Sequence, residues 1–222
     1  ILSRRVGLRT MFVTGISAIA VGMALMAGLA SVSGGYWSIV PGLIVLAVGV
    51  GLTMTPGTAA ITGSLPVEEQ GVASALNDTV REIGAAVGTA LIGSLLSAGY
   101  SSSISDVAAT LPGEAGEVVK EGIGGAMVVS AQMGPQGAPI LKAAREAFVD
   151  GWGFSMWIAA GVAVVAAISA AVLTPSRRVE FAARDAAEAA RDAVARTGSD
   201  DLDLELAVES VDPAHLAVSA GD

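Results

Sequence analysis

Residues 72–97 read VASALNDTVREIGAAVGTALIGSLLS, a stretch long enough to cross a bilayer that still carries three charged residues, Asp78, Arg81 and Glu82. A membrane-spanning helix needs about 20 predominantly apolar residues. A charge inside the membrane is costly and occurs mainly where it faces the interior of a helix bundle or a watery cavity. The stretch therefore predicts a transmembrane helix with a functional polar face.

A helical projection at about 100° per residue divides this stretch into two faces. Aliphatic side chains gather on one side, at Leu76, Val80, Ile83, Val87 and Leu91. Small and polar residues gather on the other, at Gly71, Ser74, Asn77, Asp78, Arg81, Gly84, Ala85 and Gly88. The division is typical of a helix with lipid on one side and protein or a solvated pathway on the other.

The composition is that of an integral membrane protein rather than a soluble one. The chain has 222 residues, of which 53% are hydrophobic and 15% are charged, whereas soluble domains carry about 25% charged residues. It has no cysteine, which excludes disulfides and thiolate chemistry. No Ser/His/Asp grouping, metal-ligand spacing or phosphate loop is found, so an enzyme is not expected. No basic patch is present that would indicate nucleic-acid binding.

We predict an all-α integral membrane fold in which four segments cross the bilayer. They cover about 11–31, 36–61, 72–97 and 152–174. The second segment contains Pro41 and Pro56, which neighbouring helices can accommodate in a membrane. Gly42, Gly49, Thr53 and Pro56 share one face of it, where a second helix could approach closely.

Arginines flank the membrane region at both ends. Arg4, Arg5 and Arg9 precede the first segment, and Arg177 and Arg178 follow the fourth. The positive-inside rule then places both ends in the cytoplasm, and four crossings agree with that parity.

The predicted organisation has three parts. Residues 1–10 form a basic cytoplasmic loop, residues 11–175 form the transmembrane region, and residues 176–222 form a cytoplasmic tail. The tail is expected to be helical at first and then, from Thr197 onward, acidic and disordered. The transmembrane region includes a long outer loop over 98–150.

Two pieces of that outer loop have patterns of their own. IGGAMVVSA over 123–131 is apolar but too short to span; we expect a buried loop packed on the bundle, with a re-entrant or interfacial piece as the alternative. PILKAAREAFVDGW over 139–152 predicts a helix that leads directly into the fourth span.

Four stretches of the sequence, taken in order, resemble those of a known protein family. SRRVGLRTMFVTG (3–15) contains R-x-G-x-R, AVGVGLTMTP (47–56) is rich in small residues before a proline, and GVASALNDTVREIGAAVGTALIGS (71–94) contains N-x-x-x-R and G-x-x-x-G. With AFVDGWGFSMWIAA (147–160), they resemble the major facilitator superfamily, in particular its fourteen-helix drug:proton antiporter branch. The positions that match that branch are Gly49, Gly51, Leu52, Pro56, Pro66, Gly71, Ala73, Ser74, Asn77, Arg81, Gly84 and Gly88.

The resemblance implies that the four spans are the last four of fourteen helices. The chain would be the C-terminal part of a proton-coupled exporter of small amphipathic or hydrophobic molecules, with the proton gradient as energy source and no cofactor. Its partners would be the lipid bilayer, the exported molecule and the preceding helices of the same transporter, in a bacterial plasma membrane. A membrane-embedded structural or accessory subunit without transport of its own stays open as the alternative.

The charged cluster supplies candidate coupling residues. Asp78 lies three residues before Arg81, a spacing that allows an ion pair. Glu82 lies about 16 Å along the helix from Gly71, close to the middle of a bilayer. Glu82 is therefore our first candidate for the proton-binding group and Asp78 the second, and both depart from the uncharged polar residues common in the family at these positions.

The remaining candidates have gating or packing roles. Asn77 and Arg81 would line the cytoplasmic gate or the substrate pathway. Helix packing would depend on small or kinked positions, namely Gly49, Gly51, Pro56, Gly84 and Gly88.

Cysteine labelling in intact cells tests the predicted topology on this cysteine-free background. A membrane-impermeant maleimide should label Ser102→Cys, in the outer segment over 98–150, and should leave Ser199→Cys unlabelled until the cells are lysed. Labelling of Ser199→Cys but not Ser102→Cys before lysis would reverse the orientation.

Overall fold

The computed structural model describes residues 7–62 and 69–174, together with Ala182, Ala186, Ala189 and Ala190. Its helices are α1 (Leu8–Leu29), α2 (Gly35–Thr62), α3 (Gln70–Ala109), α4 (Glu114–Glu121), α5 (Ile123–Gln132) and α6 (Ala138–Leu173), with a 3-10 turn over Gly134–Gly137. Helices α1, α2, α3 and α6 are long and apolar enough to cross a membrane. The all-helical membrane fold predicted from the sequence is confirmed.

The chain divides into two compact units. The larger unit, Thr14–Ile168, holds most of the four long helices and the short helices α4 and α5. The smaller unit comprises the chain ends, Ile1–Val13 and Ser169–Asp222. Most of the predicted cytoplasmic tail and the first residues of the basic loop lie outside the described residues.

Helices α1 and α2 form a hairpin whose backbones touch at paired glycines. A methyl group added to Gly22 would lie 2.8 Å from the carbonyl oxygen of Gly42, and one added to Gly42 would lie 2.7 Å from that of Gly22. Further along, a methyl group on Gly49 would lie 2.6 Å from the carbonyl oxygen of Gly15. No side chain fits in this space, so glycine is what allows the two helices to approach so closely.

The connection between these helices is held by serine hydroxyls. The Ser31 hydroxyl accepts a hydrogen bond from the Gly34 N–H at 3.0 Å, and the Ser38 hydroxyl donates to the Gly35 carbonyl at 2.7 Å. Gly35 has a φ of +52°, in the left-handed region that favours glycine. Helix α2 begins directly at this turn and continues through Pro41 and Pro56.

A second glycine contact joins α3 to α6. A methyl group on Gly99 would lie 2.8 Å from the Cα atom of Gly151, and one on Gly151 would lie 2.7 Å from the backbone nitrogen of Tyr100. The two longest helices therefore cross here with no side chain between them.

Helices occupy most of the segment over 98–150 that the sequence predicts as a loop. Helix α3 continues to Ala109, twelve residues beyond the predicted end of its span, and α6 already begins at Ala138. The predicted helix over 139–152 is indeed part of α6 and leads into the fourth span. The stretch over 123–131 is packed as expected, but it forms helix α5 rather than a loop, so its predicted conformation was wrong.

The helices within 98–150 pack around a small hydrophobic core that lies outside the predicted membrane spans. Its buried members come from α3, α4, α5 and α6: Tyr100, Ile104, Ala108, Val119, Ala126, Val129, Ile140, Ala144 and Ala147. The Tyr100 hydroxyl donates a hydrogen bond to the Val119 carbonyl at 2.9 Å, and the Ser130 hydroxyl donates to the Gly137 carbonyl at 2.8 Å. The short helices are thus fixed to the ends of the two long ones.

Two glycines on α2 provide a matched test of the hairpin contact. Gly49→Ala places a methyl group against the backbone of α1, and overpacking of this kind costs about 1–3 kcal/mol. Gly51→Ala meets open space within the described residues and removes the helix penalty of glycine, about 1 kcal/mol. Thermal unfolding in detergent should therefore show a lower melting temperature for Gly49→Ala and an equal or higher one for Gly51→Ala. Equal melting temperatures for the two variants would contradict the close α1–α2 contact.

Candidate functional site

The candidate site lies on the first half of α3, where polar side chains occupy less than two turns. Asn77 is buried, with 8% of its surface exposed, and Ala73, one turn earlier, is also buried. Asp78, Arg81 and Glu82 are all exposed. Asn77 therefore points toward the neighbouring helices, whereas the three charged side chains lie on the surface of the described structure.

The ion pair that the spacing of Asp78 and Arg81 allows is not formed. Asp78 instead accepts a hydrogen bond at 3.3 Å from the Asn77 side-chain amide. The ion pairs found among residues 7–62 and 69–174 join Lys120 to Glu117 and Lys142 to Glu146. Exposed ion pairs gain little because ordering two side chains costs entropy, so spacing alone does not hold Asp78 and Arg81 together.

Arg81 and Glu82 consequently have no oppositely charged partner within the described part of the chain. Charges at membrane depth normally face a bundle interior or a water-filled cavity. Nothing in the described structure covers these side chains.

The aliphatic face of α3 is also uncovered. Leu76, Val80, Ile83 and Val87 each expose 60–63% of their surface. Such a surface suits direct contact with lipid.

The predicted packing positions differ in their surroundings. Gly49 contacts α1 and Pro56 is buried, whereas Gly51 is exposed. Methyl groups at Gly84 or Gly88 would meet nothing within 4 Å among the described residues. Close helix packing at those two glycines therefore stays a prediction that requires a further helix.

Gly88 instead lines an apolar cavity. The cavity has a volume of about 210 Å³ and is also bordered by Met23 of α1, Leu91 of α3 and Val162 of α6. It lies between three of the long helices. An aliphatic chain or an aromatic ring fits its lining, whereas an ion finds no polar partner there.

The sequence analysis did not predict the glycines of α1 that contact the packing face of α2. Gly15 and Gly22 are seven residues apart on α1, as are Gly42 and Gly49 on α2. This equal spacing could have predicted the contact between α1 and α2, because residues seven apart lie on the same face of a helix.

Comparison with known proteins finds a similar family. A family model described as Major Facilitator Superfamily matches residues 1–110, which include α1, α2 and α3. This match supports the major facilitator superfamily as the family of this part of the chain.

One curated relative is the protein named multidrug efflux pump LfrA, from Mycolicibacterium smegmatis. The two sequences are 38% identical over 159 residues, which is 71% of this chain and 31% of the relative. The chain thus spans about a third of the length of that relative. No solved structure matches the chain.

Thiol labelling tests whether water reaches the small, polar face of α3. Maleimides react with the thiolate, which an apolar environment disfavours. In the product of the complete gene, Ala85→Cys on the polar face should react much faster with a soluble maleimide than Val87→Cys on the aliphatic face. Equal rates, or a faster reaction at Val87→Cys, would show that the helix faces the other way.

Proposed function

We propose that this chain is the C-terminal part of a proton-coupled exporter of small amphipathic or hydrophobic molecules, drugs among them. The observation that carries the proposal is the 38% identity to a protein named as a multidrug efflux pump. The uncovered charged face of α3 supports it independently, because an intramembrane charge is a functional-site hypothesis by default.

The length of the match supports a role as one part of a larger transporter. Major facilitator proteins bind substrate near the bilayer midplane between two pseudo-symmetric halves. This chain corresponds to 31% of its relative and, in its described part, has four helices able to span a membrane. We propose that further helices of the same transporter cover the polar face of α3, and that a fourteen-helix drug:proton antiporter is the complete form.

Glu82 is the proposed proton-binding group. It is exposed on α3, has no ion-pair partner in the described residues and lies near the middle of the predicted span. Proton relays in pumps and transporters are built from such carboxylates. Proton uptake would remove one negative charge from the pathway, so that the protonated and charged forms favour different faces of the membrane.

Asn77 and Arg81 are proposed as gate residues. Arg81 offers five N–H donors in a fixed fork, which suits carbonyl oxygens or an anionic group across the pathway. Asn77 is buried and bonded to Asp78, so it would fix the Asp78 carboxylate and leave Arg81 free to engage such a group.

The proposed orientation places both ends of the chain in the cytoplasm of a bacterium, with the helices in the plasma membrane. Arginines at both ends of the membrane region support this orientation. The similar efflux pump comes from a bacterium, which supports a bacterial origin for this chain.

The alternative is a structural or accessory membrane subunit with no transport of its own. Expression of the complete gene in cells that lack their own efflux pumps separates the two functions. Energy-dependent export of a fluorescent amphipathic dye supports the exporter, whereas unchanged dye accumulation with the protein present in the membrane supports the subunit.

The coupling role of Glu82 is tested by Glu82→Gln, which keeps the size of the side chain but removes its charge. In proteoliposomes with equal amounts of protein, we expect substrate binding to persist and export driven by a pH gradient to be lost. The matched control is Asp78→Asn, one turn earlier, which keeps an acceptor for Asn77 and should retain most of the export. Undiminished gradient-driven export by Glu82→Gln would assign proton coupling to another carboxylate.

A further inference from the structure

A second cavity, separate from the candidate transport site, lies where α1 ends and α2 begins. Its volume is about 350 Å³, within the range of small-molecule sites. Its wall is formed by the α1–α2 connection on one side and by α6 on the other, with Val32, Ile39, Phe148, Val149 and Trp152 among its lining residues. The lining is almost entirely apolar.

Among the described residues, a single charged side chain lines this cavity. Arg145 of α6 is exposed there, and no acidic residue shares the lining. Arg145 forms no ion pair with any residue in the ranges 7–62 and 69–174, whereas Lys142 on the same helix is paired with Glu146 at 3.9 Å. An apolar cavity with an unpaired guanidinium is complementary to a molecule with an apolar body and an anionic group.

The position of the cavity identifies the class of molecule. Helix α1 ends at Leu29 and α2 begins at Gly35. Both helices are able to span a membrane, so the cavity lies at the level where spanning helices leave the bilayer. Trp37, largely exposed, lies near the beginning of α2, and exposed tryptophans are enriched at membrane interfaces. Phospholipids are the anionic amphiphiles present at this depth.

We propose that the cavity is a binding site for an anionic phospholipid. The phosphate accepts paired hydrogen bonds from the Arg145 guanidinium, a geometry that arginine favours for phosphate. The glycerol region and the first part of an acyl chain occupy the apolar cavity between Val149 and the α1–α2 connection. A cationic amphiphile is disfavoured at the same place by the charge of Arg145.

Native mass spectrometry of the product of the complete gene, in neutral detergent, measures this binding directly and independently of transport. Phosphatidylglycerol should bind about fivefold more tightly than phosphatidylcholine with the same acyl chains, the effect of one basic residue near an anionic lipid. Arg145→Gln should abolish the preference, whereas Lys142→Gln, nearby on α6, should retain it. Equal binding of the two lipids, or a preference that survives Arg145→Gln, would overturn the proposal.

A second pair of variants tests the apolar part of the site. Val149→Trp fills the cavity and should weaken phosphatidylglycerol binding, while Val128→Trp, on the exposed face of α5, should leave it unchanged. Glycerol 3-phosphate, which carries the anionic group without acyl chains, should not bind at phospholipid concentrations. If it binds as tightly as phosphatidylglycerol, or if both tryptophan variants behave alike, the site is not a phospholipid site.

Discussion

Contact between glycine backbones is the constraint on which this arrangement of helices depends. In a bilayer the hydrophobic effect does not drive helices together, because lipid tails are as apolar as leucine, and close packing has to supply the attraction. Here the α1–α2 hairpin closes at Gly22 and Gly42, and α3 crosses α6 at Gly99 and Gly151. Each contact admits only a hydrogen atom where another residue has a side chain, so the helix pairs have little freedom to slide.

The first part of α3 is largely exposed, whereas its last part is packed against other helices. Beyond the predicted span, Tyr100 and Ile104 are buried in a core shared with the short helices, as in a soluble protein. Within the span, the aliphatic face and the charged face are both uncovered. Lipid accounts for the first of these faces. The second needs protein or water, which agrees with a chain that represents about a third of its relative.

Hydropathy and spacing predicted the four long helices, but they placed the end of α3 too early. The run of serines at 101–103 and Asp106 lowers the average hydropathy after residue 97, although Tyr100, Ile104 and Ala108 form a buried stripe at every fourth position. Spacing also allowed an ion pair between Asp78 and Arg81 that exposed side chains do not form. The role of Glu82 could not be derived from the sequence, because it depends on which groups cover the polar face.

The unbroken length of α3 links the charged cluster to the short helices. Its 40 residues extend about 60 Å, roughly twice the thickness of the hydrocarbon core. Glu82 lies about 26 Å along the helix on one side of the crossing at Gly99, and Ala109 about 15 Å on the other. The charged cluster and the short helices α4 and α5 are therefore joined through one continuous element, although no contact between described side chains links them directly.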